Sequence, residues 1–113
     1  MISPAVARAA AARGFDAATV AAIAAVESAG APFGPDGRPT ILYEPHVAWR
    51  VAPVHLRPML RDAGLAYRQW GERPYPRTQR ERWEQFCRCV DLAGRDVAIQ
   101  ACSWGLGQVL GEN

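Results

Sequence analysis

Apolar residues near the N-terminus recur at helical spacing and predict two helices joined by a short turn. Residues 4–13 form an alanine-rich stretch that Ser3 can cap and that Gly14 can end. A second helix is expected over residues 17–30, with Asp16 as its N-cap. The chain is therefore expected to begin with a helical hairpin.

One carboxylate interrupts the apolar face of the second helix. Val20, Ile23, Ala24 and Glu27 follow the i, i+3, i+4, i+7 spacing of a single helical face. Loss of water on that face, and the negative end of a helix that Gly30 is expected to stop, would both favour a protonated acid. Such a glutamic acid can act as a general acid, so Glu27 is a candidate catalytic residue. The alternative is a glutamate at a frayed helix end that turns to solvent.

A short extended run follows a loop and carries a second carboxylate. Residues 31–39 hold three prolines and two glycines, which predicts loop and turn. Residues 40–44 are typical of a strand, with Glu44 at its exit and His46 two residues further. Glu44 is either part of a site or the partner of a nearby arginine, and His46 is either part of that site or a structural hydrogen-bonding residue. Residues 47–51 continue as an extended or a helical piece.

The middle of the chain is interrupted by prolines and glycines, and its pattern does not assign residues 52–77 to helix or strand. Three aromatic residues lie in this stretch: Tyr67, Trp70 and Tyr75. Such residues either belong to the core or stack against sugar rings.

Regular patterning returns at a capping box formed by Thr78 and Glu81, which predicts a scaffold helix that stops at Gly94. One face of this helix carries Trp83, Phe86, Cys87 and Val90. Asp96 is expected to cap one further helical turn. The closely spaced glycines of residues 103–111 predict a tight turn that feeds a short helix, with the backbone crowded against a site.

Composition limits the alternatives. The chain has 113 residues, half of them hydrophobic, and a net charge of +2, so a single small globular domain is expected. Its arginines are dispersed, which gives a nucleic-acid binder little support. No run of 18 apolar residues and no signal-peptide pattern occurs. We therefore expect cytoplasmic synthesis, no membrane insertion and action on the cell wall only after release or export.

The three cysteines match no disulfide framework or paired metal motif and are expected to be reduced, packed thiols: Cys87, Cys89 and Cys102. A zinc site that combines them with His46 or His55 lacks the local spacing of known zinc ligands. No metal and no cofactor are expected.

Four segments together resemble a known family. Residues 22–30 contain Val-Glu-Ser, residues 36–46 contain Tyr-Glu-Pro-His, residues 75–77 are Tyr-Pro-Arg, and residues 101–111 contain Trp-Gly-Leu-Gly-Gln. In this order they resemble the N-acetylmuramidase domain of phage endolysins, and the combination is more specific than any single motif. The resemblance extends over nearly the whole chain.

The resemblance implies a mainly α, lysozyme-like fold, α+β with a very small β element, that cleaves the β-1,4 bond between N-acetylmuramic acid and N-acetylglucosamine. Glu27 takes the place of the catalytic glutamate, which protonates the glycosidic oxygen, and Glu44 is the second catalytic candidate. The partner is bacterial peptidoglycan, and a monomer is expected. The residues expected to bind substrate are Ser28, His46, Ser103, Trp104, Gly105 and Gln108.

Family members usually continue through further helices beyond the Gly-Leu-x-Gln element. We therefore expect residues 1–113 to be the N-terminal two thirds of such a domain, with the C-terminal helices missing. Two alternatives stay open: a lytic transglycosylase, whose products carry 1,6-anhydro ends, and a truncated remnant that binds glycan without turnover.

Overall fold

The computed structural model describes residues 3–28 and 31–113. The chain divides into two compact units. The first comprises Met1–Thr40 with Gly105–Gln108, and the second comprises Ile41–Trp104 with Val109–Asn113.

The first unit begins with the predicted helical hairpin. Helix α1 spans Pro4–Ala12 and helix α2 spans Ala17–Ser28. The Ser3 hydroxyl accepts the Val6 N–H at 3.2 Å, and Asp16 accepts the N–H and the hydroxyl of Thr19 at 2.9 and 2.8 Å. Both predicted N-caps are confirmed, while Gly30, the predicted stop, lies outside the described residues.

The face that α2 covers differs from the expected one. Helix α2 packs against α1, and its less exposed side consists of Ala17, Val20, Ala21 and Ala24. Ile23 is 57 % exposed, and Glu27 is exposed as well. The expectation that Glu27 lies among apolar neighbours is therefore wrong, because contact with α1 selects a row rotated away from Ile23 and leaves Val26 and Glu27 exposed.

In the rest of the first unit, Thr40 is a buried residue that bonds to two other segments; it is 8 % exposed. Its hydroxyl donates to the Ala31 carbonyl at 2.6 Å, and its own carbonyl accepts the Gly105 N–H at 2.7 Å. An isolated bridge joins Phe33 and Pro39 within the predicted loop. These bonds connect the loop that follows α2 to the turn Gly105–Gln108 of the same unit.

The second unit contains an antiparallel three-stranded sheet in the order β1-β2-β3. Strand β1 is Ile41–Tyr43, β2 is Cys102–Trp104 and β3 is Val109–Leu110. The strand predicted over residues 40–44 is confirmed, whereas the short helix predicted after the glycine turn is wrong. Gly105 and Gln108 have φ values of 70° and 48°, so the chain reverses tightly and returns alongside β2.

The second unit also contains helices, of which α5 packs against β1 and α6 against β2. They are α3 (Pro45–Val51), a 3-10 helix (Val54–Leu56), α4 (Arg57–Asp62), α5 (Gln79–Ala93) and α6 (Arg95–Gln100). Helix α5 starts as predicted, since the Thr78 hydroxyl accepts the Glu81 N–H at 3.2 Å, and it ends at Gly94 with φ 91°. Gly94 also occupies the N-cap position of α6, and Asp96 lies in its first turn. The prediction that Asp96 caps α6 is therefore wrong.

A single apolar core fills the second unit. Helix α5 contributes Cys89, which is fully buried, whereas Cys87 is exposed. Cys87 was predicted on the apolar face, but the covered row continues from Phe86 through Cys89 and Val90. The buried members of the core are Ile41, Tyr43, Ala48, Ala52, Leu60, Leu65, Ala66, Cys89, Val97, Ala98, Ala101 and Cys102.

The described chain is thus mainly α-helical with a very small sheet, as expected. The buried hydroxyl of Tyr43 donates to the Leu65 carbonyl at 2.7 Å, so this polar atom of the core has a hydrogen-bond partner. None of the helices in residues 3–28 and 31–113 has the length and apolar character needed to cross a bilayer.

Candidate functional site

Glu44 is held at the junction between β1 and α3. It occupies the N-cap position of α3, and its backbone N–H donates to the Ala101 carbonyl at 2.8 Å. Its carboxylate does not cap the helix; Oε2 instead accepts the Tyr75 hydroxyl at 2.5 Å. With 14 % of its side chain exposed, Glu44 is a largely enclosed carboxylate with a defined orientation.

His46 lies beside this carboxylate, as the sequence predicted. Its Nδ1 is 3.4 Å from Glu44 Oε2 and is buried. A protonated imidazole would therefore pair with Glu44. The alternative that Glu44 pairs with an arginine gains no support, since its closest polar neighbours in the described structure are a tyrosine and a histidine.

Tyr75 connects Glu44 to an exposed tryptophan. The Tyr75 oxygen accepts the Trp70 Nε1–H at 3.0 Å while its own proton points to Glu44. Burial, and then the hydrogen bond and charge of Glu44, raise the pKa of Tyr75. Burial and the charge of Glu44 also raise the pKa of the neighbouring Tyr67. Tyr75 therefore remains a neutral hydroxyl donor at any physiological pH.

A small pocket adjoins these residues within the second unit. It has a volume of about 80 Å³, and its walls include Tyr67, Arg73, Tyr75 and Gln85. Gln85 Oε1 is buried and lacks a hydrogen-bond partner within the part of the chain that the structure describes. A carbonyl oxygen that is buried without a partner is costly.

Two predicted site residues, Glu27 and Ser28, lie in the first unit at the end of α2, where Ser28 is the last helical residue. Glu27 is exposed. An exposed carboxylate at this position is accessible to a large substrate without any movement of the helix.

Gln108, another predicted residue of the first unit, has an uncommon backbone conformation. Its φ of 48° is rare for a residue other than glycine. Its Nε2 donates to the carbonyls of Gly105 at 2.8 Å and Thr40 at 3.3 Å. These bonds fix the side chain within its own turn, and backbone outliers of this kind concentrate at functional sites.

Trp104 and Ser103, also predicted to bind substrate, lie on β2. Trp104 donates its Nε1–H to the Ile99 carbonyl at 3.0 Å. Its ring meets Trp83 and Phe86 edge to face at 5.9 and 5.6 Å. The Trp104 ring is thus packed against α5, and Ser103 is half-buried in the central strand.

The described residues contain no group of three His, Cys, Asp or Glu side chains placed to hold a metal ion. Cys89 and Cys102 are buried, which raises the pKa of both thiols.

Two contributors to the site were missed from the sequence. The role of Tyr75 as a hydrogen-bond donor to Glu44 has no local signal, because 31 residues separate the two. Gln79 was also missed: its side chain accepts the Ile41 N–H at 2.8 Å and donates to the Ile41 carbonyl at 2.9 Å. It thereby fixes the start of the strand that leads to Glu44.

The fold and the site define a mainly α, lysozyme-like protein with a small sheet and an enclosed carboxylate. The model of the N-acetylmuramidase family matches residues 16–113, and the chain belongs to that family. The structure is similar to the crystal structure of the Burkholderia AP3 phage endolysin, with a TM-score of 0.75 and 33 % sequence identity. That match covers 95 % of this chain and 40 % of the endolysin chain. No curated protein matches the sequence.

Proposed function

We propose that this chain carries the catalytic part of a muramidase that degrades bacterial peptidoglycan by cleaving the β-1,4 bond between N-acetylmuramic acid and N-acetylglucosamine. The observation that carries the proposal is the family match over residues 16–113, which includes Glu27, Glu44 and Gln108. The likeness to a phage endolysin supports the same substrate class.

In this proposal Glu27 is the general acid. It protonates the glycosidic oxygen as the bond to the muramic acid carbon breaks, and the sugar passes through an oxocarbenium-like transition state. Glu44 is the second carboxylate and stabilises the developing positive charge or activates water. His46, two residues after Glu44, and Gln108 assist as polar side chains. Ser28, Ser103, Trp104 and Gly105 remain predicted substrate contacts.

The test replaces Glu27 with Gln, which keeps the shape of the side chain and removes its proton. We expect clearing of purified cell walls to fall by about 10²–10⁴-fold, the usual contribution of a positioned general acid. Glu84→Gln is the matched control, because Glu84 is an exposed helical glutamate paired with Arg80. Full activity of Glu27→Gln refutes its assignment, and Glu44→Gln in the same assay measures the second carboxylate.

Mass spectrometry of the released fragments distinguishes the two modes of cleavage. Hydrolysis leaves reducing muramic acid ends, whereas attack by the sugar's own hydroxyl leaves 1,6-anhydro ends. Detection of anhydro ends alone would replace the hydrolase with a lytic transglycosylase while keeping Glu27 as the acid.

The exposure of Glu27 favours a second candidate, glycan binding without turnover, because general acids usually act from sites that exclude water. Cosedimentation with purified walls without release of fragments by the parent chain would support this candidate.

A further inference from the structure

We propose that Trp70 is a sugar-stacking platform, at which a ring of a β-1,4-linked N-acetyl amino sugar chain lies against the exposed indole. This inference rests on the proposed function for its substrate class. It adds a binding residue, in a loop whose sequence pattern predicts no element.

Trp70 is 71 % exposed. Single exposed apolar residues are common on protein surfaces, so exposure alone carries no argument. Trp70 differs because its polar edge is tethered: Nε1–H donates to Tyr75, which in turn donates to Glu44. The indole is therefore fixed at one edge while its ring surface remains open to solvent.

The backbone around Trp70 is fixed as well. The Glu72 carboxylate accepts the Gln69 N–H at 2.7 Å, and Gly71 adopts a φ of 83° that completes the turn. An aromatic side chain that is ordered before binding loses little conformational entropy when a ligand arrives. This turn therefore presents Trp70 in a pre-organised form.

The position of Trp70 suits a sugar chain that extends to Glu44. Two hydrogen bonds, of 3.0 and 2.5 Å, lead from the indole to the Glu44 carboxylate. The pocket of about 80 Å³ that Tyr75 lines has room for a small substituent such as an acetamido group. Its lining includes Gln85, an amide side chain of the kind that hydrogen-bonds such a group.

Nearby charges agree with an acidic glycan. Arg68, Arg73 and Arg77 are exposed in the same loop, against one acidic residue, Glu72. Peptidoglycan carries carboxylates on its peptide stems, and a net positive loop attracts them at low ionic strength. The same combination of tryptophan and arginine also suits an anionic lipid surface, which the experiment must distinguish.

The experiment measures binding, not cleavage. Four chains are compared, each with its own Glu27 and with Glu27→Gln: the parent, Trp70→Ala, Trp70→Phe and Tyr75→Phe. Each is cosedimented with purified cell walls and titrated with soluble N-acetylglucosamine oligomers. We expect Trp70→Ala to weaken binding about tenfold, as for a central aromatic contact. Trp70→Phe keeps a ring and Tyr75→Phe keeps the indole but frees it, so each should weaken binding only about two- to threefold.

The matched control is Phe15→Ala, because Phe15 is 65 % exposed and precedes α2, at the end opposite Glu27. Its binding should equal that of the parent. Unchanged glycan binding by Trp70→Ala overturns the inference. An equal loss of binding in Phe15→Ala overturns it as well. The same chains are also cosedimented with anionic phospholipid vesicles, and a loss of binding by Trp70→Ala that appears only with these vesicles overturns the inference too.

A second measurement holds even if Trp70→Ala fails to fold. The indole N–H resonance of Trp70 is assigned by its absence in Trp70→Phe and followed in the parent chain as oligomer is added. A shift that saturates with binding supports stacking, and an unmoved resonance at saturation overturns it. A parent chain that binds through Trp70 but releases no fragments refutes the muramidase proposal and leaves this inference standing.

Discussion

Replacing Gln79 with Ala is expected to destabilise the strand that leads to Glu44. Gln79 is the first residue of α5, and both polar atoms of its side chain bond to the backbone of Ile41, at 2.8 and 2.9 Å. The side chain thus makes the hydrogen bonds that a neighbouring strand would make on the edge of β1 that does not face β2. Ile41 itself is 0 % exposed, so its N–H has little access to water.

The magnitude follows from these two bonds. Each hydrogen bond contributes about 1 kcal/mol net, and a buried N–H left without a partner costs about 1–3 kcal/mol. Gln79→Ala should therefore lower the free energy of unfolding by about 2–4 kcal/mol. For a domain of this size that corresponds to a fall in Tm of at least about 8 °C.

Gln79→Glu tests the direction of the two bonds. The introduced carboxyl can still accept the Ile41 N–H, but when ionised it has no proton for the Ile41 carbonyl. The folded chain then disfavours the charged form and raises the pKa of that carboxyl above its unfolded value of about 4.3. The variant should approach parental stability below that pH and lose stability as pH rises through the raised pKa.

The assay is urea denaturation followed by circular dichroism at several pH values, with each variant compared with the parent at the same pH. Gln69→Ala is the control, since Gln69 is exposed and the substitution should change stability by less than about 0.5 kcal/mol. A Gln79→Ala chain as stable as this control, or a Gln79→Glu deficit that does not change with pH, would refute the reasoning.

Two further predictions concern close packing and thiol access. Gly111→Ala should abolish cooperative folding or cost at least about 3 kcal/mol, because a Cβ there would lie 1.8 Å from the Ile99 carbonyl oxygen; a melting curve like that of the parent would contradict this. Of the three cysteines only Cys87 should react with a thiol reagent near pH 8 before denaturation, since Cys89 and Cys102 are buried and their pKa values are raised. Two or three fast-reacting thiols in the folded chain would show that these sites open.

Sequence predicted the parts of the fold that local chemistry determines. Ser3, Asp16 and Thr78 cap helices because a hydroxyl or carboxylate satisfies an N–H three residues away. Gly94 ends a helix because its φ of 91° costs glycine little. Each of these signals needs no knowledge of the rest of the chain.

The errors arose where a tertiary partner decides. Helix α2 could bury either of two neighbouring rows, and packing against α1 selected the one that leaves Ile23 and Glu27 exposed. The residues after Gln108 are too few to show a period, and only pairing with β2 makes them a strand. In the same way, nothing local links Tyr75 to Glu44, because the contact depends on how an unpatterned loop returns to α3.

These differences change the environment expected for Glu27 and define the one around Glu44, for which the sequence predicted only a position at a strand exit. Glu27 was expected to be enclosed and is exposed, whereas Glu44 was expected at a strand exit and has 14 % of its side chain exposed, with a hydroxyl donor at 2.5 Å. The proposed acid and the proposed second carboxylate need unlike environments. Glu27 and Glu44 do lie in unlike environments. Glu44 Oε2 accepts the Tyr75 hydroxyl, and this contact orients the side chain to which the proposed mechanism gives the second role. In the proposed mechanism Glu27 gives the proton to the leaving oxygen; its side chain is exposed, and a bound glycan chain would itself supply the enclosed surroundings.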